Sequence, residues 1–131
     1  MSELIVWEDR YSIGVAKIDE QHKTLFGFLN SYYESLATGK SAEMISLTLR
    51  NLVDYASYHF KDEEELMSII PGYDSHDHLE EHDDFISKVL ELQSLDALGK
   101  NISFELFDFM KEWILNHILI SDQKLGVASK K

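Results

Sequence analysis

The chain has 131 residues, 44% of them hydrophobic and 27% charged, a size and balance suited to one compact domain with a single core. Lys plus Arg total 12 against 24 Asp plus Glu, a formal charge of −12, so phosphate backbones and anionic membrane surfaces are repelled and nucleic acid is not an expected partner. The sequence has no cysteine, which excludes disulfides, iron–sulfur clusters, thiolate zinc sites and a cysteine nucleophile, and leaves metal chemistry to imidazole and carboxylate.

Residues 1–18 read as a non-helical arm carrying Trp7, Tyr11 and Gly14. Its start has acids at Glu3, Glu8 and Asp9 and no long apolar run, so neither a signal peptide nor a membrane span is expected, and a cytoplasmic location is. The first helix is predicted from about Asp19 to Ala37, ending near Gly39. The second runs from about Ser41 to Met67, before the Pro71-Gly72 turn. The third spans about Asp74 to Leu95 and stops before Gly99; the fourth spans about Ser103 to Asp122, with Gly126 in a frayed tail. The chain has one proline, and its β-branched residues are scattered rather than alternating, so the class is all-α. Short connections favour antiparallel neighbours. The expected architecture is an up-down-up-down four-helix bundle in one domain over 1–131, with the arm at 1–18, the bundle at 19–122 and the tail at 123–131.

Side chains three and four apart share a helix face, so the inward stripes can be read directly. They are His22, Leu25, Leu29, Tyr32 and Leu36 on the first helix, and Ile45, Leu49, Leu52, Ala56, His59 and Glu63 on the second. The third carries His78, His82, Phe85, Val89 and Leu92, and the fourth Leu106, Met110, Trp113 and His117. Each stripe is apolar at one end and polar at the other. In an up-down-up-down bundle the polar ends all lie in the same half. Any one of these histidines alone is more simply a hydrogen-bonded core imidazole. Five together, beside Glu63 and Asp122, would each cost about 1–3 kcal/mol if left without partners, and a pair of metal ions would satisfy all seven.

Five positions separate His117 from Asp122, and at about 100° per residue a straight α-helix sets them about 140° apart. A π-type turn or local unwinding between Ile118 and Lys124 is therefore expected, so that Asp122 turns inward. His76 lies about 200° round the helix from His78 and is expected in solvent. Trp7 and Trp113 are read as packing anchors. The acidic runs Asp62-Glu63-Glu64-Glu65 and Glu80-Glu81 with Asp83-Asp84 are read as solvated faces, Glu63 apart, able to offer a partner to a metal-binding imidazole.

Four segments then match a known family. Ile18-Asp19-Glu20-Gln21-His22, His59-Phe60-Lys61-Asp62-Glu63-Glu64, His78-Leu79-Glu80-Glu81-His82 and Trp113 through His117 to Asp122 resemble the signature segments of hemerythrins. Trp7 and Gly14 extend the match over nearly the whole chain, which most resembles the single-domain prokaryotic bacteriohemerythrins. The resemblance implies a non-haem diiron centre that binds O2 reversibly. By position, His78, His82 and His117 would hold one iron and His22 and His59 the other. Glu63 and Asp122 would bridge them with an oxo or hydroxo group, and O2 would bind the iron held by His22 and His59. Counting agrees with that division: two roughly octahedral ions offer about twelve sites, of which three bridges and five imidazoles fill all but one.

No histidine has Glu three residues before it, unlike the carboxylate-rich diiron oxidases. The imidazole-rich set is expected to hold O2 rather than cleave it, which makes the chain a carrier and not an enzyme. Phe26, Phe60, Ile114 and Ile118 flank the ligand positions and are candidates for an apolar O2 pocket, with plain core packing as the simpler alternative. Transport, storage or delivery of O2 to an oxygen-consuming client enzyme is the leading reading. An oxygen or redox sensor with a separate partner, a peroxide- or nitric-oxide-reducing diiron enzyme and an iron-storage protein are the alternatives. Oligomeric state is open, with a monomer as the starting expectation.

Overall fold

Apolar residues at three- and four-residue spacing fold into helices laid side by side. The computed structural model describes residues 4–130, so positions 1–3 of the expected arm and 131 of the expected tail lie outside the described residues. Helix α1 is Ala16–Ala37, α2 is Ser41–Ser68, α3 is His76–Ala97 and α4 is Ser103–Asn116. A π-helical turn at His117–Asp122 joins α4 to α5, Gln123–Ser129. Because Asn116, His117, Asp122 and Gln123 all keep right-handed helical dihedrals, α4, the turn and α5 form one continuous rod. α1 packs on α2, α2 on α3, and α4 on α1, the up-down-up-down bundle expected of such short connections. No helix among the described residues is long and apolar enough to cross a membrane.

Leu29, Leu52, Val89, Leu92, Leu106 and Met110 are wholly shielded from solvent at the bundle centre, and each such side chain contributes about 1.5–3 kcal/mol by leaving water. The buried Tyr32 hydroxyl donates to the Ser103 carbonyl at 2.9 Å, joining α1 to the start of α4. Gly39, at φ 75°, ends α1 by turning the chain so that the Lys40 amide reaches back to the Ser35 carbonyl at 2.7 Å. Between α3 and α4 the spacing is filled by rings: Phe85 lies 4.5 Å from Trp113 and 5.2 Å from Phe109, centroid to centroid.

Three expectations need correction. α1 begins at Ala16 rather than near Asp19, because the Asp19 carboxylate holds the arm instead of capping the helix: it accepts from the Ile13 amide at 2.8 Å and the Ser12 hydroxyl at 2.5 Å. Nor is the arm wholly non-helical, since Asp9–Tyr11 form a 3-10 turn that stacks Tyr11 edge-on against Phe26 at 5.1 Å. Third, Gly126 does not lie in a frayed tail. It is buried in α5, where the arm crosses so closely that a Cβ there would sit 2.3 Å from the Ile13 carbonyl oxygen. Gln123 completes that contact, donating to the carbonyls of Arg10 at 3.0 Å and Ser12 at 3.2 Å.

Candidate metal centre

All seven side chains singled out in the sequence meet at one end of the bundle. His22, His59, Glu63, His78, His82, His117 and Asp122 are at most 4% exposed. The helical period delivers His22 from the first turns of α1, His59 and Glu63 from the C-terminal half of α2, and His78 and His82 from the start of α3. The π turn delivers the last pair. Its extra residue turns Asp122 inward with His117, so both are buried. The expected distortion between Ile118 and Lys124 is thus present, beginning one residue earlier. His76 stays outside, its side chain 82% exposed and facing Glu80 at 3.7 Å.

The donors divide into two groups. His78, His82 and His117 converge, with Nε2 of His117 3.2 Å from Nε2 of both His78 and His82. His22 and His59 form a second pair, rings edge to face at 4.8 Å. The two carboxylates lie between the groups. Asp122 turns Oδ1 towards His78 at 2.9 Å and His117 at 3.1 Å, and Oδ2 towards His22 at 2.9 Å. Glu63 turns Oε1 towards His82 at 3.0 Å and Oε2 towards His22 at 3.7 Å. One set of close donors is Glu63, His78, His82 and His117, another is His22, His59, Glu63 and Asp122, and Glu63 belongs to both.

The outward edge of each ring explains its inward edge. Nδ1 of His82 donates to Glu64 at 3.0 Å and Nδ1 of His117 to Glu81 at 3.0 Å. Nδ1 of His59 donates to the Gln21 side-chain oxygen at 2.6 Å, while the Tyr73 hydroxyl lies 3.1 Å from Nδ1 of His78. A neutral imidazole has one N–H, so rings that donate through Nδ1 present bare Nε2 lone pairs to the interior once any second proton has given way to an ion. Those lone pairs face one another at about the separation that adjacent donors of an octahedral ion require, about 3 Å. His22 Nε2, His59 Nε2, Glu63 Oε2 and both Asp122 oxygens are buried with no hydrogen-bond partner. Imidazole nitrogens and carboxylate oxygens in this arrangement suit two divalent or trivalent cations of intermediate softness.

Electrostatics agree with that fit. Burial works against ionising Glu63 and Asp122, yet the surrounding imidazoles hold Glu63 well below the usual carboxylate range and Asp122 at about 2. Burial likewise opposes charge on His22, but the Asp122 and Glu63 carboxylates beside its Nε2 raise it to about 9. His117 is held well above the ordinary histidine value by Asp122 against the same cost of burial. His59, where burial dominates, falls to about 4. Without metal, protons on the imidazoles supply the positive charge that the two carboxylates need.

Sequence reading missed Gln21 and Tyr73 and did not separate Glu64 and Glu81 from their acidic runs. Gln21 had a signal: it stands beside His22 in the segment Ile18-Asp19-Glu20-Gln21-His22 that carries the resemblance, and the structure buries it, 4% exposed. Trp113 is more than an anchor, since it stacks on His117 at 4.4 Å and 15° and borders a cleft of about 270 Å³ with Glu81, Phe109, Glu112 and Asn116. Of the apolar residues expected to wall a pocket, Phe60 stacks on His82 at 3.9 Å and 7°, and Phe26 packs on Trp7 and Tyr11 of the arm. Ile114 and Ile118 are each 1% exposed.

Comparison with known proteins agrees with this geometry. Residues 13–127 match the family model of the hemerythrin HHE cation binding domain. A bacteriohemerythrin of Clostridium acetobutylicum is 32% identical over 126 residues, covering 92% of this chain and 98% of its own. A hemerythrin-like protein of Naegleria gruberi is 33% identical over 119 residues, covering 90% of this chain and 87% of its own. A solved crystal structure of a leucine-to-phenylalanine mutant superposes with a TM-score of 0.85 at 30% identity, over 99% of this chain and 100% of that one. With the family model spanning most of its length, the chain belongs to the hemerythrin family.

Proposed function

We propose that this protein binds O2 reversibly at a non-haem diiron centre, for transport, storage or delivery to an oxygen-consuming enzyme. The observation that carries the proposal is the pair of carboxylates, each turning one oxygen to the His78, His82 and His117 group and the other to His22. That arrangement supports His78, His82 and His117 as holders of one iron, His22 and His59 as holders of the second, and Glu63 and Asp122 as bridges. Iron held there would supply the two electrons that reversible O2 binding needs.

The chain's own residues do the rest. Glu64, Glu81 and Gln21 orient three of the five rings so that Nε2 faces inward. Phe26, Phe60, Ile114 and Ile118, all buried, exclude water, which would otherwise displace the bound gas and leave oxidised, inert protein. With three histidines on one side and two on the other, an iron held by His22 and His59 would have fewer protein donors, and O2 would be taken up on that side.

The test is an absorption spectrum of anaerobically reduced, iron-loaded protein before O2, after O2 and after its removal under vacuum, with iron measured in parallel. Two irons per chain and a charge-transfer band that comes and goes with O2 are expected. A band that persists after evacuation would turn the proposal towards a sensor or an enzyme, and protein that takes up no iron would end it.

A further inference from the structure

The backing of the histidines is not uniform across the two halves of the centre. On the three-histidine side, His82 and His117 donate through Nδ1 to carboxylates, Glu64 and Glu81. Ser121 fixes Glu81 by donating to both of its oxygens, at 2.8 and 2.6 Å. On the two-histidine side, His59 donates to a neutral amide oxygen, that of Gln21 at 2.6 Å, and Nδ1 of His22 has no partner. The orientation of Gln21 is forced, because its Nε2 donates to the Asp62 carboxylate at 2.6 Å, which cannot donate in return. Lys17 reaches the same Asp62 oxygen at 3.3 Å. The Gln21 amide thus stands between a carboxylate and an imidazole and keeps the full negative charge one residue away from His59.

A carboxylate on Nδ1 draws the proton, enriches the ring in electrons and makes Nε2 a stronger donor to an oxidised metal; an amide does so much less. We propose that Gln21 is a positioning residue that tunes potential: it keeps the two-histidine iron position harder to oxidise than the three-histidine position, which Glu64 and Glu81 favour in its ferric state. The proposal rests on the diiron reading above. Stepwise oxidation of the reduced pair by an electrode removes one electron at each of two potentials. The lower belongs to the three-histidine side and the upper to the side that Gln21 serves.

An exchange tests this without changing net charge. Gln21→Glu combined with Asp62→Asn keeps a hydrogen bond between the two positions with donor and acceptor reversed, and places the carboxylate on His59. Protein electrochemistry on iron-loaded, oxygen-free samples should show the upper potential fall by a shift equivalent to roughly tenfold in the ferric/ferrous equilibrium, about 59 mV for one electron, with the lower potential little changed. Glu81→Gln, made separately, should raise the lower potential and leave the upper in place, and it decides the matter if the exchange variant does not fold. The proposal is overturned if the exchange leaves the upper potential unmoved, or if Glu81→Gln moves the upper rather than the lower. Iron content of the unaltered protein keeps the two ideas apart: fewer than two irons per chain sinks the diiron reading, whereas two irons with unresponsive potentials sink only the role of Gln21.

Discussion

Each buried imidazole in this protein is defined by what its two nitrogens face. In the metal-free chain His22 is raised to about 9, because Asp122 and Glu63 outweigh the burial that would lower it. A histidine raised above its unfolded value of about 6.5 lends stability that is complete below that value and lost as pH rises through about 9. Metal needs the same Nε2 as a bare lone pair, so ion and proton compete. Titrating metal-free protein with ferrous or cobaltous ion at pH 7 should therefore release at least one proton per chain. At pH well above 9 the release from His22 should vanish. His59, lowered to about 4 by burial, should contribute none at either pH. Calorimetry in buffers of differing ionisation enthalpy measures this count, and metal uptake at pH 7 without proton release would contradict the reading of His22.

At the scale of elements, the π turn and the packing of α5 are one device. A π turn is an α-helix with one residue too many, and here Ile120 is that kind of residue, 55% exposed. Its deletion should restore α-helical spacing between His117 and Asp122, four apart, and keep both inward, so that metal stoichiometry survives. Deleting the exposed Lys61 from α2 has no such outlet and would turn either His59 or Glu63 about 100° off the inward stripe, with loss of metal. Metal content of the two deletion variants, each checked for helicity, separates these outcomes; equal losses would show that the extra residue is itself required. The arm closes over the same region. In Gly126→Ala the new Cβ would meet the Ile13 carbonyl oxygen at 2.3 Å, against backbone that cannot swing aside as a flexible side chain would. Overpacking of this kind costs about 1–3 kcal/mol, readable by urea unfolding. Trp7, which packs on Phe26 at 5.5 Å, should report the displaced arm by its fluorescence.

The whole bundle is divided along its length into an apolar half and a half whose interior gathers the buried histidines and carboxylates. Leu49 is 1% exposed and lies ten residues before His59, roughly 15 Å away along α2. Leu49→Ala should destabilise the fold by about 2–5 kcal/mol while metal stoichiometry stays unchanged. Removing metal acts at the opposite end. An ion that binds the folded chain and not the unfolded one raises the melting temperature through linkage, and without it five buried nitrogens and oxygens of His22, His59, Glu63 and Asp122 that would face it have no partner. Calorimetric scans with and without chelator should show the metal-free form melting lower, and an unchanged transition would deny that the polar end depends on an ion.

The sequence by itself determined the class, the number of bundle helices and the inward placing of six of the seven buried polar side chains at the site, because helical period is local: residues three and four apart share a face whatever surrounds them; Asp122 was named by the resemblance, against the period. It also demanded a distortion near Ile118, since His117 and Asp122 are five apart and cannot both face inward on a regular helix. Only the tertiary structure decided what depends on the distance between elements far apart in the chain. Gln21 reaches His59 and Glu81 reaches His117 across separations of 38 and 36 residues, and although Glu81, three residues after His78, borders the inward stripe as Glu80 does not, period names no partner for it on another helix. The seating of α5 on the arm was equally hidden, because Gln123 meets Arg10 over 113 residues. How each carboxylate shares its two oxygens between two histidine groups is a matter of rotamer and interhelical spacing, and those are settled by packing rather than by pattern.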